Sequence, residues 1–176
     1  MTTVRGPVVG TASLVLDPSS VERTHGDHID GRIWIDIDGE GFPDVGWWDF
    51  PLPVISACVD AILVLLGPKA KSERIWFYDG PRAARFEVEG PTAWRVSGLD
   101  TQPKTHRVRL AATVDPSRLV ASTIAAGDTL LRICREQGWE SDKSKNLANG
   151  LASLRTPVPE DWLPPSPALK RLEDNR

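Results

Sequence analysis

"RIWIDIDGEGFPDVGWWDFPLPVISACVDAILVLLGP", residues 32–68, decides the fold of this chain, because a period-two pattern gives way to a helical one within it. Ile33, Ile35 and Ile37 alternate with Arg32, Trp34, Asp36 and Asp38, which predicts a strand with one buried and one more exposed face. Gly39 and Gly41 break that strand, and Pro43-Asp44 suits a turn. Asp49 is placed to cap a helix whose first turn tolerates Pro51 and Pro53. From about Leu52 to Leu66, Ile55, Cys58, Val59, Ile62, Leu63 and Leu66 form a wide stripe. Val54, Ala61 and Leu65 extend it, leaving Asp60 as the main polar mark. A helix so widely apolar is central and covered on more than one side. Gly67-Pro68 ends it.

Working outward, residues 8–16 read as a strand, and "VERTHGDHIDG" (21–31) as a loop or hairpin connection. Downstream, "RIWFYDGP" (74–81), "RAARFEVEGP" (82–91), "TAWRVSG" (92–98) and "HRVRLAATV" (106–114) alternate and are joined by Gly-bearing turns. That is the signature of an antiparallel meander. Asp115-Pro116 opens a long helix that Gly138 stops, and Ser141 caps a third over residues 141–154. Five prolines between 157 and 167 then make an extended tail, with Trp162 as its anchor. The fold expected is α+β, a mostly antiparallel sheet of five or six strands packed against two or three helices. It forms a single domain over residues 1–155, followed by a Pro-rich tail over 156–176. The expected core is Ile33, Ile35, Ile37, Ile55, Val59, Ile62, Leu66, Ile75, Phe77, Phe86, Val108, Leu110, Val120, Ile124 and Leu131.

Composition bounds the function. No signal peptide is legible at the start, and the run from Val54 to Leu66 is too short to cross a bilayer. Cys58 and Cys134 both fall in helical patterns, which predicts free buried thiols and a cytoplasmic protein. Residues 1–68 carry ten acids against three bases, and residues 69–176 fourteen acids against eighteen bases. No Lys or Arg occurs between Ile33 and Pro68, where Asp36, Asp38, Glu40, Asp44, Asp49 and Asp60 all fall. A field of one sign draws in a partner of the other, so the expected partner is a basic protein and not nucleic acid or membrane. The competing reading is a solvated loop neutralised by Lys and Arg from elsewhere in the fold.

Catalytic signatures are missing from the sequence. His25-x-x-His28 supplies two zinc ligands at most, His106 is the only other histidine, and no Cys pair completes a site. There is no Gly-x-Ser-x-Gly elbow or P-loop. A small metal-dependent hydrolase using His25, His28 and a nearby carboxylate is the enzymatic alternative, and a structural subunit docking through its tail is a third. No cofactor is expected. The aromatic residues point elsewhere: Trp34, Trp47, Trp48 and Trp76 lie with Phe42, Phe50, Phe77 and Tyr78 in one segment, and Trp is the residue most enriched at binding hot spots. Against this, Trp47 and Phe50 can instead wedge the helix onto the sheet. The candidate partner-binding set is Trp34, Asp36, Asp38, Glu40, Asp44, Trp47, Trp48 and Asp49.

The order "IWIDIDGEGFPDVGWWDF", an apolar helix and a strand closing in "FYDGP" resembles small immunity proteins of bacterial polymorphic-toxin systems and their relatives. The residues that carry the resemblance are Phe42-Pro43, Trp47-Trp48-Asp49-Phe50 and Asp79-Gly80-Pro81, within residues 31–81. It implies a non-enzymatic protein that binds and blocks another protein, such as a toxin domain. It also implies that the aromatic residues and Asp of the turn are chiefly structural.

Overall fold

The computed structural model describes residues 9–158, apart from residue 27 and residues 103–104; most of the Pro-rich tail, with Trp162, lies outside them. The chain runs through β1 (Ala12–Leu16), a 3-10 turn (Pro18–Ser20), β2 (Glu22–Arg23), β3 (Ile29–Ile37), β4 (Glu40–Phe42), β5 (Trp48–Asp49) and helix α1 (Pro51–Leu66). It continues through β6 (Ser72–Phe77), β7 (Arg82–Gly90), β8 (Ala93–Gln102), β9 (Thr105–Val114), α2 (Pro116–Gln137) and α3 (Asp142–Arg155). The α+β class is as expected. The strands, however, form two antiparallel sheets, of five and four strands, rather than one sheet of five or six. Helix α1 is the reason, since it carries the chain away from the first sheet and returns it as a separate meander. Among the described residues a parallel bridge between Gly10 and Val114 links the two.

In the five-stranded sheet β3 is the hub. Leu14 of β1 lies opposite Ile35, Glu40 of β4 opposite Ile37, Asp49 of β5 opposite Gly31, and Glu22 of β2 opposite Asp30. The tight turn from β3 to β4 puts Asp38 at φ 55° and Gly39 at φ 89°. Positive φ at both central positions is what a two-residue hairpin needs to match the strand twist, and an Asp-Gly pair tolerates it. The open edge of β1 is covered by α2, where the Ser122 hydroxyl accepts a hydrogen bond from the Leu14 amide at 2.9 Å. The four-stranded sheet is the meander β6-β7-β8-β9.

The three helices meet in a single core with Ile33, Ile35, Ile37, Ile75, Phe77 and Phe86. Helix α1 buries Leu52, Val54, Ile55, Cys58, Val59, Ala61, Ile62 and Leu65, and exposes Asp60, as its wide stripe requires. The caps of the other helices follow the sequence. Asp115 accepts from Ser117 N–H, Gly138 ends α2 at φ 68°, and Ser141 with Ser144 makes a reciprocal cap on α3. No described helix is long and apolar enough to cross a membrane.

The core list needs four corrections. Leu66, Leu110 and Leu131 are only half-buried, and Val108 is exposed at 47%. The cause in β9 is a register shift at Gly98/Leu99, where Arg109 is the extra residue. A bulge reverses which face each side chain meets, so Val108 lies opposite Leu99, which is itself buried but outside the main core cluster, while Leu110 lies opposite Gly98 and packs against the core. The same place explains Gly98: a Cβ there would collide with the Phe42 ring.

Candidate functional site

The aromatic loop divides between two tasks. Adjacent residues of a strand point to opposite faces, so Trp48 turns outward, 40% exposed, and Asp49 turns inward, 2% exposed. Asp49 is therefore neither a partner-binding carboxylate nor the cap of α1. The cap is Phe50, with no side-chain hydrogen bond. The Phe50 side chain has no acceptor to offer, and of the second and third helical residues that a cap would bond, Pro53 has no N–H.

Asp49 instead acts as a latch. One carboxylate oxygen, Oδ1, accepts from Phe50 N–H at 2.7 Å. The other, Oδ2, accepts from the Trp47 indole N–H at 3.1 Å, Tyr78 N–H at 2.9 Å and Asp79 N–H at 3.3 Å. A buried carboxylate is tolerated only when it is hydrogen-bonded in this way. The bonds tie β5 and the start of α1 to the turn after β6. Trp47 is half-buried and packs against the core with its indole N–H consumed. Like Asp49, it is turned inward.

The rest of the set gathers on the outer face of β3 and at its hairpin. Trp34, half-buried, sits opposite Val15, between Arg32 and Asp36 on the same face; Trp48 sits opposite Arg32. Arg32 is drawn to Asp17 at 3.7 Å. The Asp17 carboxyl is held below its ordinary value by the Ser19 hydroxyl first, with backbone donors and Arg32 adding to this. Asp44 is offset by Arg109, 3.8 Å away, whose guanidinium also reaches Asp100 and the Pro43 carbonyl. Neutralisation from the second half of the chain therefore occurs at Asp44. It does not extend to Asp36, Asp38 or Glu40, none of which has an ion-pair partner among the described residues. Asp36 accepts from Gly39 N–H at 3.1 Å, which fixes the hairpin turn, while Asp38 and Glu40 are exposed.

Among the described residues the histidines do not assemble a metal centre. His25 and His28 are exposed, and the His28 ring leans on Phe50 at 5.7 Å. Asp30, the carboxylate nearest in sequence that is described, receives the Thr24 hydroxyl. No group of three His, Cys, Asp or Glu able to hold a metal occurs among the described residues, and Asp27 lies outside them. Cys58 and Cys134 are buried and free, and burial pushes both thiols up from their ordinary range, which disfavours the nucleophilic thiolate.

A concavity of about 670 Å³ lies at the opposite end of β3. Its walls come from the turn before β3, the start of α1, the end of β6 and the link from α2 to α3. Four segments so far apart in the chain carry no local signal, and although the sequence singled out His28, Phe50 and Tyr78, nothing in it brought them together. Comparison with known protein families, curated proteins and solved structures returned no match.

Proposed function

We propose that this protein is a binding module of the immunity-inhibitor kind, which masks a basic site on a partner protein through the β3–β4 hairpin and the outer face of β3. The observation that supports it is charge without compensation: Asp36, Asp38 and Glu40 have no basic partner among the described residues. Two accessible indoles, Trp34 and Trp48, stand on the adjoining face. Carboxylates at the rim of an interface set association rate and salt dependence, whereas central Trp residues carry the affinity. The two parts therefore have separable signatures.

The hydrolase alternative has no three-ligand cluster to draw on among the described residues. The tail-docking alternative rests on residues outside them.

The test is binding of the purified protein to the product of the neighbouring reading frame, compared between wild type and the triple charge reversal D36K/D38K/E40K. Circular dichroism and the melting temperature confirm that the variant is folded. Loss of association in the variant, with slower association of the wild type at high salt, is the expected result. Association that is unchanged by the reversal overturns the proposal.

A further inference from the structure

The cavity at the other end of β3 is separate from the acidic hairpin. Eight residue steps from Ile29 to Ile37, at about 3.3 Å each, put up to about 26 Å between the two sites. Its volume of about 670 Å³ is within the range of small-molecule sites. Aromatic rings from four segments line it: His28, Phe50, Tyr78 and Trp139.

These rings are walls and not a stack. The His28 and Phe50 planes are inclined by 50°, and those of Phe50 and Tyr78 by 71°, with centroids 5.7 and 6.4 Å apart. Inclined rings use one another's edges and leave faces free for a further ring. The walls are also held in place. Phe50 and Tyr78 are joined by the Asp49 latch through their amides, and Trp139 N–H donates to the Cys134 carbonyl at 2.7 Å, just past the left-handed Gly138. Yet Tyr78 is 56% exposed, and no hydrogen bond to its phenol oxygen occurs among the described residues. An exposed ring whose backbone is anchored by the latch, edge-on to Phe50, is placed for contact with a ligand.

The mouth of the cavity supplies the charge. Asp142 is paired with Lys145 at 3.4 Å. Glu140 and Lys143, three residues apart, have no ion-pair partner among the described residues and do not pair with each other. Arg23 also lines the cavity but already has a partner, so Glu140 and Lys143 leave one unspent charge of each sign beside the aromatic socket, complementary to a ligand that carries both. We infer that the cavity binds a planar aromatic zwitterion of the free aromatic amino acid class. The ring would lie among Phe50, Tyr78 and Trp139, with the ammonium toward Glu140 and the carboxylate toward Lys143.

The test is a titration of the isotope-labelled protein, followed by NMR at the Trp139 indole N–H, with three probes: L-tryptophan, tryptamine and indole-3-acetate. L-tryptophan is expected to give a saturable shift with a Kd of about 1 mM or below, as for an efficient ligand of its size. The two singly charged probes are expected to bind about five-fold more weakly or less, since each forgoes one charge-assisted contact. Tyr78→Ala, at an exposed position where the latch uses only the backbone amide, should weaken L-tryptophan about ten-fold with an unchanged melting temperature. Glu140→Ala should bring L-tryptophan down to the level of indole-3-acetate. Absence of a saturable shift up to about 10 mM, ten times that Kd, overturns the site. So does equal binding of all three probes, or tryptophan binding indifferent to Tyr78→Ala.

Discussion

Replacing Asp49 separates two explanations of the Trp-Trp-Asp-Phe motif. If Asp49 were a helix cap, Asp49→Asn and Asp49→Ser would be close to neutral, since Asn and Ser cap as well as Asp. As a latch, the carboxylate receives four donors, three of them on one oxygen. Asn can keep a carbonyl oxygen on one side only. With the oxygen toward Trp47, Tyr78 and Asp79, its amide meets the Phe50 N–H donor to donor; reversed, it abandons three donors to keep one. Hydrogen bonds to a charged group are worth about 1.5–3 kcal/mol each, and a stranded buried donor costs about 1–3 kcal/mol. Water can reach the half-buried Trp47 and the exposed Tyr78–Asp79 turn, so the losses do not simply add. The expected destabilisation is about 2 kcal/mol for Asp49→Asn and about 3–4 kcal/mol for Asp49→Ala, near the cost of breaking a buried charged network. At about 2–4 °C per kcal/mol for a chain of this size, Asp49→Ala should lower the melting temperature by about 6–16 °C. Urea and thermal melts read both variants. If Asp49→Asn stays within about 0.5 kcal/mol of wild type, the range of a surface change, the latch is refuted and the cap reinstated.

Other expectations follow from single contacts. Gly98→Ala should destabilise by about 1–3 kcal/mol, the range for overpacking a tight site, because its Cβ enters the space of the Phe42 ring; a shortened side chain in Phe42→Leu should recover part of the loss in the double variant. Ile62→Ala, at a fully buried position of α1, should cost about 2–5 kcal/mol by chemical denaturation. Cys58 should resist a thiol reagent such as DTNB at pH 8 in the native state and react once urea unfolds the chain, since its thiol is buried and its pKa raised. The sign of that shift also sets an alkaline limit. A thiol pKa raised by folding contributes stability below the ordinary value of 9.0, and this is lost as pH climbs beyond it. Melts between pH 7 and 11 should decline faster for wild type than for Cys58→Ala, each measured against its own stability at pH 7.

The parts of the fold legible in the sequence were those written in local periodicity. Ile33, Ile35 and Ile37 named the buried face of β3, the wide stripe named α1 as central, and Asp115, Gly138 and Ser141 marked helix ends that the structure reproduces. What the sequence hid depends on partners far along the chain. The role of Asp49 is set by amides 29 and 30 residues away, and the exposure of Val108 by an extra residue in β9 that no alternation count reveals. The pair Trp47-Trp48 was readable in principle. In a strand two neighbours cannot share a face, so an adjacent pair of indoles already implied one turned inward and one outward. Of the candidate site, Trp34, Asp36, Asp38, Glu40 and Trp48 lie together on the outer face and hairpin, Asp44 is offset by Arg109, and Trp47 and Asp49 belong to the interior.

In the five-stranded sheet β1, β2, β4 and β5 each bond to β3, and among the described residues none bonds to another. Such a wheel with one axle comes apart spoke by spoke. Amide exchange should release β2, β4 and β5 independently, each at its own modest opening energy, while β1 stays longer because α2 braces it. Amides of β3 should exchange last and together, through global opening alone. Ancestral or engineered insertions at any one spoke would then leave the others in register, which gives the acidic hairpin room to change shape without disturbing the cavity at the far end of the axle.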